Sequence, residues 1–161
     1  VYDNKTMNIF ILDSDPIKAS VYHTDKHIVK MPLETAQMLC TAIYLDGSDS
    51  IYKPTHKNHP CNLWLMQSLD NYFWLCQLGF ALCEEYSYRY KKTHACEKVI
   101  KECYKNFPNI PSIGITPHAL AMPNECKISD DAVICYREYY NVCKQHLFSW
   151  KERETPFFIN N

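Results

Sequence analysis

His23, His27, Lys30, Glu34, Gln37 and Thr41 are spaced 4, 3, 4, 3 and 4 residues apart. On a helix, at roughly 100° per residue, they fall within an arc of about 80°. The residues between them are mostly apolar: Ile28, Val29, Met31, Leu33, Ala36, Met38, Leu39, Cys40 and Ala42. A surface helix usually carries a broad polar face and a narrower apolar stripe; here the proportions are inverted. Two imidazoles, an ammonium, a carboxylate and an amide form a thin file on a helix that otherwise reads as core. Ionisable groups in such surroundings are costly unless paired or used. The stripe, with Lys26 beside it, therefore reads as the wall of a cleft suited to acid–base and amine chemistry, or as a buried polar network that joins helices.

Three further groups could complete a site. Thr55-His56-Lys57-Asn58-His59-Pro60 places four polar side chains between two prolines, just before a helix start. Free backbone N–H groups there can receive a phosphate, with His56, Lys57 and His59 beside them; a capped surface loop is the plainer alternative. Glu85, Arg89 and Lys92 stand at i, i+4 and i+7 and share a face with Gln67, Asn71 and Trp74. They form either a surface salt bridge or a second polar stripe opposite the first. Tyr136-Arg137-Glu138-Tyr139-Tyr140 and Trp150-Lys151-Glu152-Arg153 interleave aromatic and basic groups, a pattern of core packing or of base stacking. A metal is a separate possibility. His23 and His27 at i, i+4 can share one ion, but Glu34 is about 10 Å along the helix from His27. Further ligands would come from His56 and His59, and a His56, His59, Cys61 set is the local zinc alternative.

These residues need helices to hold them. Asn8 to Leu12 is a short extended apolar run, and Asp15-Pro16 opens a helix that runs to about Tyr44, with Pro32 expected to kink or break it. Pro60 opens a long helix to about Tyr90. Thr93 caps another to about Asn106, and Ser129-Asp130-Asp131 starts a last one to about Lys151. Residues 107–128 hold four prolines and read as an ordered irregular segment. Residues 1–6 read as an N-terminal extension. The expectation is one all-α domain, 1–161, of four or five helices.

Composition sets the bounds. With 161 residues, 47% apolar and 14% aromatic, the chain is globular. Three glycines and the absence of any Gly-x-Ser-x-Gly, P-loop or dinucleotide fingerprint argue against serine hydrolases and nucleotide-loop folds. Net charge is −1, so nucleic-acid contact would require a local basic patch. No apolar run is long enough to span a membrane, and no secretory leader is visible. Nine cysteines without a CxxC read as reduced buried thiols of an intracellular protein, with a disulfide framework or cysteine–zinc as alternatives.

Met7-Asn8-Ile9-Phe10 with Leu12-Asp13, His23 to Met31, Leu33 to Leu39 and Thr55 to Pro60 resemble a family of small proteins from phages and large DNA viruses that has no settled activity. The resemblance runs along nearly the whole chain from Met7. More distantly, the layout is similar to the pyrimidine-dimer DNA glycosylases of the endonuclease V type. That family is small and all-α and attacks the sugar C1′ with its N-terminal amine, helped by a glutamate on the first helix. Here six residues precede Met7, and His27 stands near the place of that glutamate, with Glu34 two turns later. The similarity implies a base-excision enzyme acting on nucleic acid or a nucleotide, present in the host cytoplasm or nucleus during infection. Lys30, Lys26 or a freed N-terminus would be the amine. Glu34 or Glu85 would handle protons or the oxocarbenium charge, and His23 and His27 would be acid–base groups or phosphate contacts. His56, Lys57, Asn58 and His59 would hold backbone phosphate. Gln37, Arg89 and Lys92 would contact substrate, and Trp74 and Tyr86 would stack an extruded base. Two rivals stay open: a metal-dependent enzyme with a divalent ion on His23, His27, His56 and His59, and a non-enzymatic virion or host-interaction protein.

Overall fold

A computed structural model describes residues 7–160; the extension at 1–6 lies outside them. Six α-helices are present: α1 Pro16–Tyr22, α2 Asp25–Leu45, α3 Pro60–Leu65, α4 Leu69–Tyr90, α5 Glu97–Lys105 and α6 Ala132–Cys143. The described residues contain no strand. The protein is all-α, as its helical periodicities imply. The helices outnumber the expected four or five because both long patterns are interrupted. The first breaks at His23-Thr24, where Thr24 Oγ1 accepts the N–H of His27 and starts α2 afresh. The second breaks at 66–68, where Ser68 caps α4.

Pro32 does not end α2, which continues through it for 21 residues. Pro32 cannot supply the N–H that would reach Ile28. It is buried, so tertiary packing holds the turn that its missing hydrogen bond would loosen. The last helix stops at Cys143 rather than near Lys151. Lys144 leaves helical geometry at φ −115°, and the chain folds back so that Trp150 Nε1 donates to Tyr22 O and Asp25 N donates to Ser149 O.

The extended run 7–12 is buried at every position. Such a strand-like segment has no exposed face, so both of its sides are apolar. Arg137 holds its exit by donating to Leu12 O and pairing with Asp13. Helix α4 packs against α1, α2, α3 and α5. Its closest approach is at Gly79, where a Cβ would meet Thr35 Cγ2 at 3.0 Å and Ile100 Cγ2 at 3.1 Å. The irregular proline-rich segment is tied to α4: Asp70 accepts from Ser112 and Gly114, and Asn71 bonds Thr116 through both ends of its amide.

Candidate functional site

The stripe divides into two halves with different surroundings. At its head, His23 is fully buried. Its Nδ1 lies 2.6 Å from Ala19 O, so Nδ1 carries the proton and donates. Nε2 is left as a buried acceptor with no partner. Burial, with Arg89 nearby, drives its pKa down to about 4. His27 is equally constrained. Thr24 N–H donates to Tyr140 Oη, and Tyr140 Oη and His27 Nδ1 share a hydrogen bond of 2.7 Å. Phe10 stacks on the His27 ring at 4.3 Å. Burial, then the neighbouring His23, Lys144, Lys30 and His146, holds His27 well below its usual range. Both imidazoles therefore resist protonation.

The lower half faces a different group of residues. Glu34 is buried, and its Oε1 accepts the N–H of Asn8 at 2.9 Å. Lys30, largely exposed, reaches Glu34 Oε2 at 3.4 Å. Burial raises the Glu34 pKa, against the opposing pull of Lys30, Asn8 and His56. Thr41 accepts from Thr55 N and donates to Gln37 O, and Asn62 Nδ2 holds the carbonyls of Thr55 and His56. These bonds fix His56 in the left-handed region, φ 52°, a strained conformation for a residue with a Cβ. Its charge is felt at Glu34. His59 caps α3 by accepting the N–H of Cys61, and Lys57 sits over the Tyr44 ring while Asn58 stays exposed.

The sequence reading missed Lys144. It sits one residue past α6 and is only 8% exposed. Its Nζ rests over the Tyr139 ring at 4.9 Å and the Phe10 ring at 5.9 Å. No carboxylate of a described residue lies within ion-pair distance. Burial depresses its pKa, Lys30 adds to the fall, and the charges of Cys143 and Glu34 oppose it. The structure thus holds a buried lysine with no carboxylate of a described residue within ion-pair distance, its pKa pushed down by burial, and a buried carboxyl, Glu34, that burial pushes up. One signal in the sequence could have found it: Lys144 lies four residues after Tyr140, on the side of α6 that carries the buried tyrosines.

Several expected members of the site are elsewhere, and these are corrections. Glu85, Arg89 and Lys92 do not form an opposite wall. Arg89 is fully buried and donates to Glu85 at 2.7 Å, Asp25 at 3.0 Å, Val21 O at 2.8 Å and His23 O at 2.8 Å. Both Glu85 oxygens also accept from Arg153. Burial pushes the Glu85 carboxyl up, but Arg153 and Arg89 outweigh it and hold it low. This closed network ties α1, α2, α4 and the C-terminal segment together. Lys92 is exposed just beyond α4. Trp74 donates to Ser14 O and packs edge-on with Trp64 and His118, and Tyr86 packs with Tyr90 and His94. The expected metal set is not assembled either. His23 and His59 each use Nδ1 internally, Cys61 is buried against Asn8, and no three His, Cys, Asp or Glu side chains among the described residues converge on one point.

Beside Lys30 lies a groove of about 620 Å³ lined by Lys26, Lys30, His146, Tyr90 and Phe148 among others. Its one carboxylate, Asp25, is engaged by Arg89, Ser149 Oγ and the N–H of Lys151. The chain is thus nearly neutral overall but carries a local cationic, partly aromatic groove that includes Lys30, the ion-pair partner of Glu34. All nine cysteines are free, and eight are buried. Among the described residues no helix is long and apolar enough to cross a membrane. Compared with protein-family models, curated proteins and solved structures, the chain matches none.

Proposed function

We propose that the protein is an amine-dependent enzyme acting on a nucleic-acid strand, a base-excision glycosylase/lyase in its reaction type. The observation that carries this reading is Lys144, a buried lysine with no carboxylate of a described residue within ion-pair distance and with Glu34 among the charges that act on it. The neutral amine attacks C1′ of a deoxyribose, the N-glycosidic bond breaks with its electron pair leaving on the base, and the enzyme is left as an imine of the opened sugar. Glu34, neutral when raised in pKa, protonates the departing group or ring oxygen and then takes the proton back as base. Lys144 replaces Lys26 and Lys30 as the favoured amine because both of those are exposed. His56, at the rim, is free to contact the strand, while His23 and His27 act as fixed neutral packing. The groove of Lys26, Lys30 and His146 supplies the basic patch that a chain of net charge −1 needs for phosphate contact.

Borohydride reduction in the presence of abasic and pyrimidine-dimer oligonucleotides tests the reading. A trapped adduct on Lys144, lost in Lys144→Met with the fold retained, is the expected result. Absence of any adduct on the wild-type protein, or an undiminished adduct in the Met variant, overturns it.

A further inference from the structure

Cys40 of α2 and Cys103 of α5 face each other with their sulfurs 3.6 Å apart. A disulfide needs about 2.05 Å, so the two sulfurs must close by roughly the difference, without any large approach of helices that already pack together. Their surroundings are built rather than incidental. The Cys103 thiol first, and then the backbone of Tyr52 and Ile51, lower the Cys40 pKa to about 7 against burial. Cys103 is driven the other way, chiefly by the same thiol–thiol hydrogen bond, and keeps its proton. Cys40 is thus the more readily deprotonated of the two. A cleft of about 210 Å³, lined by Ile43, Asp49, Ser50, Ile51, Glu102 and Asn106, reaches the Cys103 side of the pair.

We propose that Cys40 and Cys103 are an oxidisable pair that closes to a disulfide in the presence of a small hydroperoxide. The Cys40 thiolate attacks the nearer peroxide oxygen, the O–O bond breaks, and the alkoxide or hydroxide leaves and takes a proton, which gives a sulfenic acid on Cys40. The Cys103 thiol then displaces its hydroxyl, forms the S–S bond and releases water. Two electrons pass from the two thiols to the peroxide, and a dithiol reverses the change. The pair sits next to Thr41, whose hydroxyl holds Thr55, and under the 51–56 segment that leads to His56. Closure therefore acts on the segment that carries the rim of the site. None of this depends on the reaction assigned to Lys144.

The test is peptide mapping of the whole protein after graded hydrogen peroxide and rapid alkylation. The expected result is a linked peptide pair carrying Cys40 and Cys103 at the lowest dose, restored by dithiothreitol. In Cys103→Ser the expected result is a dimedone adduct on Cys40, and wild-type mapping decides the matter should that variant not fold. Oxidation that begins at the half-buried Cys143, with Cys40 and Cys103 still alkylatable after unfolding, overturns the proposal.

Discussion

Replacing His23 by Gln is expected to flatten the acid side of the stability–pH curve. In the folded protein His23 titrates near 4, because its free nitrogen is buried without a partner and Arg89 is close. In the unfolded chain it returns to its ordinary value of about 6.5. The folded pKa is depressed, so the unfolded state binds the extra proton between these values. The contribution of His23 is therefore complete above pH 6.5 and is lost as pH falls toward 4. At about 1.36 kcal/mol per unit, a window of roughly 2.5 units is worth about 3 kcal/mol. Full burial means that solvent screening takes little from this. Urea midpoints at half-unit steps from pH 7.5 to 4.5, with a constant m-value, measure it. The wild type is expected to lose stability by an additional ~1.4 kcal/mol per pH unit relative to His23→Gln between about pH 6 and 4.5. His27 and His118 are depressed as well and keep some slope in both proteins, so the difference curve is the quantity to read. Parallel curves would refute the reasoning. His23 would then be accessible to protons and could act as the acid–base group that its place in the stripe first suggests.

Arg89→Met removes a buried cation that bonds two carboxylates and two carbonyls, and it is expected to cost about 3–5 kcal/mol, read from the shift in urea midpoint; a loss under 1 kcal/mol would mean the network is not buried as described. Glu34→Gln tests whether the carboxyl is there for folding. Its folded pKa is raised, so its stabilising contribution is present at low pH and lost as pH rises through that value. At pH 7 the Gln variant is expected to be at least as stable as the wild type by thermal unfolding while trapping no imine. A large loss of stability together with normal trapping would assign Glu34 to the packing.

What the sequence makes legible follows from the range of each signal. Helix periodicity, Pro16, Pro60 and the Asp15 and Asp131 caps are local, and they appear where expected. The break at His23-Thr24 was hidden because the apolar spacing continues across it, and only a threonine hydroxyl capping His27 marks the new start. Pro32 carried a strong local signal that tertiary burial overrode. The second wall failed for a related reason. The i, i+4 spacing of Glu85 and Arg89 is the same for a cleft and for a closed ion pair. Only the arrival of Asp25 and Arg153 from distant parts of the chain decides between them. Lys144 had one local signal, its place four residues after Tyr140, but the Phe10 ring that helps to bury it comes from the far end of the chain.

The two halves of the stripe now have opposite physical logic. His23 and His27 are neutral, fully hydrogen-bonded on one nitrogen and packed on Phe10 or beside Arg89, so they resist protonation and hold α1, α2 and α6 in register. Glu34 and Lys144 are left with burial incompletely offset. A carboxyl pushed up and an amine pushed down both oppose folding at neutral pH. A purely structural network would gain stability by bringing Lys144 within ion-pair distance of Glu34, and the exposed Lys30 takes that position instead. Lys144 rests over the Tyr139 and Phe10 rings. The two halves also draw on different elements: His23 ends α1 and Lys144 follows α6, so that only His27 and Glu34 share α2.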